Sequence, residues 1–308
     1  MPSTTRGAVA PGPLQSAAGP GFSVTDALLL LMALIWGVNF SVVKFGAQQM
    51  DPLAFTGIRV AISAATLGIM ARFTTRDPVS RRDLWRLMGL GVIGHGAYQL
   101  LFVEGISRTR AGDAALVIAS SPAFIAIISR LRGVDSSSRR AIAGIVLSVS
   151  GVGIVVLGSR HAAGGSSSLP GTLLVLGGAV CWSLYSVLLT PLTRRVDGLT
   201  LSAWTLLGGS IPLLVVSSGA MVHTNWAALR TSAWLALAYA SFGAMVFGYL
   251  LWYRGVRVLG PTRTAMYSNL QPVIALVVAW VTLGEAPTAW QLAGGGSVMA
   301  GLFLARRG

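Results

Sequence analysis

Ten apolar runs follow one another along the chain, each closed by a short polar or turn-forming stretch. They fall near 25–46, 54–73, 84–104, 111–131, 140–158, 170–190, 201–219, 232–252, 262–282 and 288–305. A helix needs about 20 apolar residues to cross a bilayer, so each run predicts one spanning helix. The joining stretches are short, which puts nearly all of the chain in lipid. Two runs are less regular. That at 84–104 carries His95 in its middle, and that at 140–158 is glycine-rich; either could instead form a broken or re-entrant helix.

The polar positions between the runs set an orientation. With the N-terminus in the cytoplasm, one side holds Arg6, Arg72, Arg76, Arg81, Arg82, Arg86, Arg130, Arg132, Arg139, Arg140, Arg194, Arg195, Arg254, Arg257, Arg263, Arg306 and Arg307, which makes 17 cations. The other holds Arg108, Arg110, Arg160 and Arg230, which makes four. This bias follows the positive-inside rule and predicts both termini in the cytoplasm, as an even helix count requires. A plasma (inner) membrane location is expected. Residues 1–24, rich in Gly, Pro, Ser, Thr and Ala, read as a disordered cytoplasmic tail. The first long apolar run starts at Ala27 and no clear cleavage box follows it, so no signal peptide is expected.

The pattern also repeats. A shift of 146 lays AVCWSLYSVLLTPLTRRVD (179–197) on ALIWGVNFSVVKFGAQQMD (33–51), so that Trp36 meets Trp182 and Asp51 meets Asp197. A shift of 150 brings Gly105 to Gly255, Pro122 to Pro272, Gly144 to Gly294 and Gly151 to Gly301. Two five-helix halves are therefore expected, 25–158 and 170–305, joined by an external linker over 159–169. Five is odd, so the second copy enters from the opposite face. Such inverted repeats are common in secondary transporters, with a binding site near the midplane.

Composition narrows the class. The 308 residues are 54% hydrophobic and 10% charged, with mean hydropathy +0.71. Soluble domains carry nearer 25% charge. The net charge of +14 is dealt out in small groups between apolar runs, which argues against nucleic acid as a partner. The single cysteine, Cys181, excludes an internal disulfide and a multi-cysteine metal site. No cofactor is implied. The expected partners are a small-molecule substrate and the lipid bilayer, and a monomer is compatible with this plan.

The segments ALIWGVNFSVVKFG and DPLAFTGIRVAIS resemble the opening of EamA-type members of the drug/metabolite transporter superfamily. Such members show a W-G-x-N/S-F segment, a lysine at the end of the first helix and an arginine in the second. AMYSNLQPVIALVVAWVTLGEAPTAWQLAGGGSVMAGLFL (265–304) is similar to the second-half signature, with a proline-bearing ninth helix ending in L-G-E. The resemblance covers about 25–305 and implies ten helices and export of amino acids or other metabolites. The branch exporting aromatic amino acids is the nearest in kind. One departure is that Asp135 stands where the second half has Glu285.

Several polar groups interrupt the apolar runs. Lys44 and Arg59 both lie toward the outer side. Lys44 can snorkel to the interface. Arg59, about 8 Å inside along its helix, should face protein or water, and Asp51, Glu104, Asp113 and Glu285 share its side. Anchoring, an outer-gate ion pair, substrate contact and interface snorkelling are all open roles for this pair. On the third span, His95 and Gln99 share a face, with Tyr98 beside them. Trp36 and Asn39, Trp182 and Tyr185, and Tyr267 and Gln271 form further pairs at helical spacing. These nine residues are candidates for a substrate cavity, though each also suits ordinary membrane packing. Pro122 and Pro272 stand mid-span and predict kinks that free the carbonyls of Ile118 and Ser268.

Catalysis is not expected. The chain has no H-E-x-x-H or G-x-S-x-G, and His95, His161 and His223 fall in separate regions. A secondary transporter working by alternating access is the leading reading. A nucleotide-sugar or phosphorylated-metabolite exchanger is the alternative, but it would need cations for the phosphates, and within the spans only Lys44 and Arg59 lie away from the cytoplasmic ends. A channel would need a ring of charges or a filter.

Overall fold

The computed structural model describes residues 23–74, 79–133, 139–158, 168–193, 195–259, 264 and 267–306. All of its described elements are helical. In chain order they are α1 (Val24–Gln49), α2 (Pro52–Thr74), α3 (81–107), α4 (Ala111–Leu131), α5 (Arg139–Gly158), α6 (Leu169–Thr193), α7 (Gly198–His223), α8 (Thr231–Leu259), α9 (Gln271–Leu283) and α10 (Ala289–Arg306). Residues 262, 263, 265 and 266, within the expected ninth span, lie outside the described residues, as do 260 and 261 before it, 1–22 of the tail, 159–167 of the linker and Asp135.

Six helices, α1, α2, α4, α6, α7 and α8, are each long and apolar enough to cross a bilayer. Ile142–Gly158, Gln271–Leu283 and Ala289–Ala305 are apolar but shorter. The expectation of ten full-length spans is thus met by six, for local reasons. The apolar run of α3 is interrupted by His95, Tyr98 and Gln99, and the first turn of α5 is spent on Arg139 and Arg140. Described α9 begins only at Gln271. Ile69, Val146, Val215, Trp280 and Leu292 are exposed apolar side chains of different helices, a surface suited to lipid and not to water. The protein is a multi-pass, all-helical membrane protein.

The helix ends follow the sequence closely. Ser23 and Asp26 form a reciprocal capping box at the start of α1. Asp51 Oδ1 accepts from the backbone N–H groups of Leu53 and Ala54 at 2.8 and 3.4 Å, opening α2. Helix α9 ends on Gly284, whose φ of 70° only glycine adopts freely. The Glu285 N–H then returns to the Ala279 carbonyl at 3.1 Å. Thr288 and Gln291 cap α10 reciprocally.

Two helices carry π-helical turns. In α3 these run over Val92–Ala97, around Gly94-His95-Gly96, and in α8 over Tyr239–Phe247. The irregular run at 84–104 is therefore a distorted helix, not a re-entrant one. The two prolines stand at helix breaks within the expected spans. Helix α4 breaks at Ser120, and Pro122 sits in the first turn of its second segment; Pro272 likewise opens α9 after a break at 269–270. Proline is tolerated there because a first-turn N–H has no helical acceptor. The Ile118 carbonyl is taken by the Ser121 hydroxyl at 2.7 Å, so it is not left open.

Packing interleaves the early and late helices. Helix α1 packs on α8 and α9, while α6 packs on α3 and α4; α2 packs on α7, and α5 on α10. The α5–α10 crossing is glycine-mediated. A Cβ on Gly144 would meet the Gly301 carbonyl at 2.5 Å, and one on Gly151 would meet the Gly294 carbonyl at 2.6 Å. Small residues let backbones approach this closely where lipid supplies no hydrophobic drive between helices. One apolar core, with Val43, Phe55, Val103, Leu116, Val175 and Val298 among its members, runs through both sets of helices.

Candidate functional site

The π segment of α3 places His95 among aromatic rings. Gly94 has no Cβ, and one added there would lie 2.3 Å from Tyr185 Cγ, so the Tyr185 ring lies directly on the backbone. Gly209 of α7 closes the other side, where a Cβ would lie 2.6 Å from that of His95. His95 is 2% exposed, with ring centroids of Tyr185, Trp182 and Tyr249 at 5.3, 6.1 and 6.1 Å. Its Nδ1 is buried without a hydrogen-bond partner. Trp182 also contacts Tyr98 at 5.4 Å, and Tyr98 stacks on Phe102. The Tyr185 hydroxyl meets that of Thr205 at 3.3 Å.

From α1, Trp36 joins the same cluster. Its indole N–H donates to the Ala244 carbonyl at 2.9 Å, within the π segment of α8. Its ring meets Tyr249 edge-on at 5.8 Å. Asn39, one turn on, holds Oδ1 buried and unpartnered. Tyr239 of the same π segment donates to the Ile35 carbonyl at 3.0 Å, binding α1 to α8 a second time. Of the candidates read from sequence, Trp36, His95, Tyr98, Trp182 and Tyr185 come together here, and Gln99 lies one turn beyond His95.

Tyr267 does not join the ring contacts around His95. Its hydroxyl bonds Asp26 at the start of α1, beside Leu29 and Met32. Gln271 sits at the start of α9, its carbonyl facing Gly37, where an added Cβ would lie 3.1 Å away. Tyr249 was missed, although it touches Trp36 and His95 at once. The 150-residue shift that pairs Gly105 with Gly255 sets it opposite Gln99, a signal that could have found it.

Lys44 and Arg59 behave differently from the expectation. Lys44 does not snorkel. It is 6% exposed and forms an ion pair with Glu285, while its Nζ donates to the Thr109 carbonyl at 2.7 Å. The other Glu285 oxygen accepts from the Ala111 N–H at 2.8 Å. Arg110 donates to the Ala286 carbonyl, and Gln291 donates to Asp113 at 2.8 Å. This knot ties the end of α1 to the α3–α4 and α9–α10 turns.

Arg59 is 1% exposed and meets no carboxylate in ion-pair range among the described residues. Its Nη2 donates to Gln99 Oε1 at 2.6 Å and its Nε to Thr56 Oγ1 at 3.2 Å. The Phe55 and Phe102 rings lie 5.7 and 6.0 Å from its guanidinium carbon. The expected carboxylate partner is replaced by neutral groups, and Asp51, Glu104, Asp113 and Glu285 are each engaged by another group.

Comparison with known proteins gives the class. The model of the EamA-like transporter family matches residues 24–157 and again 169–307. A probable amino-acid metabolite efflux pump of Salmonella typhimurium is 30% identical over 285 residues, covering 90% of this chain and 93% of that protein. A probable terminal-alkyne amino-acid exporter of Streptantibioticus cattleyicolor is 29% identical, covering 91% and 92%. A protein of known crystal structure superposes with TM-score 0.60 at 22% identity, over 91% of this chain and 96% of its own, which shows the fold alone. Two family matches that meet at the α5–α6 connection account for nearly the whole chain, and the chain belongs to the EamA-like transporter family.

Proposed function

We propose that this transporter exports small amino acid-like metabolites, with an apolar or aromatic side group, by alternating access through a central site at the His95 cluster. The carrying observation is that cluster: rings from α6 and α8 surround His95, whose buried Nδ1 lacks a protein partner, Trp36 of α1 joins them through Tyr249, and Asn39, one turn on from Trp36, holds a second buried and unpartnered atom, Oδ1. Buried polar atoms are normally satisfied, so the pair suits a cargo bearing hydrogen-bonding groups beside an apolar body. The names of the two relatives above support the same cargo class. Phosphate-ester exchange loses one of its two candidate cations, since Lys44 is spent on Glu285.

The proposed architecture is ten spans in two inverted five-helix repeats, 25–158 and 170–305, with a cytoplasmic tail at 1–24 and an external linker at 159–169. Reciprocal contacts support it. Gly144 meets Gly301 as Gly294 meets Gly151. The Ser121 carbonyl receives the Ser183 hydroxyl at 3.2 Å, and the Gln271 carbonyl faces Gly37, a pair related to the first by the shifts of 150 and 146. The π segments at 92–97 and 239–247 stand at matching places in the third span of each repeat. We place both termini in the cytoplasm of a plasma-membrane protein. With Cys181 replaced, Asn225→Cys should take an impermeant maleimide from outside cells and Ser80→Cys only after permeabilisation. Labelling of both from one face would break the arrangement.

The aromatic wall has its own test. Trp182→Ala should lower phenylalanine flux in liposomes about tenfold, as loss of about 1.4 kcal/mol of contact implies. Alanine and threonine flux should fall less, and Trp182→Phe should retain more activity. Equal fractional loss for all three solutes would make Trp182 a packing residue.

A further inference from the structure

Among the described residues, no acid balances the charge of Arg59. Helix α2 begins at Pro52, so Arg59 lies about 10 Å along it from the outer end. Its hydrogen-bond partners, Gln99 and Thr56, are neutral, and so are the two phenyl rings beside it. Each outer acid is held by another group. Glu285 serves Lys44 and the Ala111 N–H, Glu104 pairs with Arg108, Asp113 accepts from Gln291, and Asp51 caps α2. A cation without a counter-charge is costly in a low-dielectric interior. The amide oxygen of Gln99 offers a dipole where a carboxylate would offer a full charge. An anion entering this position would gain both the Coulomb attraction and the planar donor fork of the guanidinium.

The position also fits the cluster. Gln99, which holds Arg59, stands one helical turn from His95, and Phe102, beside the guanidinium, carries the stacked Tyr98 ring. We infer that Arg59 receives the carboxylate of the cargo, with Gln99 as the neutral cap that the carboxylate displaces or joins. The inference rests on the amino acid-like cargo proposed above and narrows it to solutes with a free carboxylate. Amines and amides of the same side group would bind poorly.

The test supplies the missing counter-charge from the protein itself. Gln99→Glu would place a carboxylate 2.6 Å from the Nη2 position and saturate Arg59 internally. In purified, liposome-reconstituted protein, phenylalanine counterflow should fall about tenfold or more, the worth of one charge-assisted hydrogen bond. The thermal unfolding midpoint should stay level or rise, which separates the effect from misfolding. For the unsubstituted protein, unlabelled phenylalanine should inhibit the counterflow at least about tenfold better than phenylalaninamide or phenethylamine. A Gln99→Glu protein that unfolds at the usual temperature and transports phenylalanine at the full rate would overturn the inference, as would equal inhibition by amine and amino acid. Either result would leave the transporter reading standing. Absence of any amino acid counterflow in the unsubstituted protein would overturn both.

Discussion

Glu285→Gln is expected to destabilise the protein by about 3–5 kcal/mol, the cost of leaving a buried partner charge uncompensated. The Lys44 and Glu285 side chains are only 7% and 9% exposed, so water can do little for an ammonium stripped of its partner. The loss is magnified because Glu285 also receives the Ala111 N–H and so pins the start of α4. Lys44→Met should be comparably harmful, since it leaves the carboxylate buried instead. The double variant Lys44→Met/Glu285→Gln removes both charges and should recover most of the lost stability, because an isosteric neutral pair avoids desolvation on both sides. A charge swap should not rescue: it would set a carboxylate against the Thr109 carbonyl and an ammonium against the Ala111 N–H. Thermal unfolding in detergent measures all four. If the double variant loses the sum of the two single losses, Lys44 and Glu285 are not coupled.

Gly91→Ala should be the most damaging single-methyl change. The added Cβ would lie 1.9 Å from the Thr205 carbonyl oxygen and 2.7 Å from its carbon. Both atoms are backbone, so no rotamer change relieves the clash and α3 must move away from α7. Overpacking of this kind costs about 1–3 kcal/mol and often more where backbone must shift. The displaced segment leads straight into the π turns that hold His95 against Tyr185, so transport should fall further than the amount of folded protein. Gly153→Ala provides the contrast. Nothing lies within 4 Å of its added Cβ, and replacing a helical glycine there should be neutral or stabilising by up to about 1 kcal/mol. Equal unfolding midpoints for the two variants would contradict the close approach of α3 and α7.

The helices themselves were legible in the apolar runs, because a bilayer demands length and hydropathy and both are local properties. The distortion at His95 was legible too, since flanking glycines remove the side chains that would resist it. The tryptophan positions followed from the 146-residue shift, and the structure brings Trp36 and Trp182 to one cluster through Tyr249 and His95. What escaped depended on pairing at a distance. Lys44 and Glu285 are 241 residues apart, and only the fold reveals that the glycine turn after α9 aims the acid at the lysine. Arg59 was expected to meet an acid from its own side of the membrane, and periodicity could not show that each of these was taken. Pro122 and Pro272 were read as interior because both halves of a broken helix are apolar, and the break at Ser120 leaves no mark in hydropathy. Pro212 gains a setting only in the structure, where it lies against Gly96 on the face of α3 that α7 covers.

The reading of the His95 cluster as the central site of an amino acid carrier is tested most directly by counterflow. Purified protein in liposomes preloaded with unlabelled phenylalanine should accumulate labelled phenylalanine transiently above equilibrium, then release it as the gradient decays. That overshoot requires one site exposed alternately to the two faces. Labelled phenylalanine that merely equilibrates, at a rate indifferent to the unlabelled pool inside, would contradict the account.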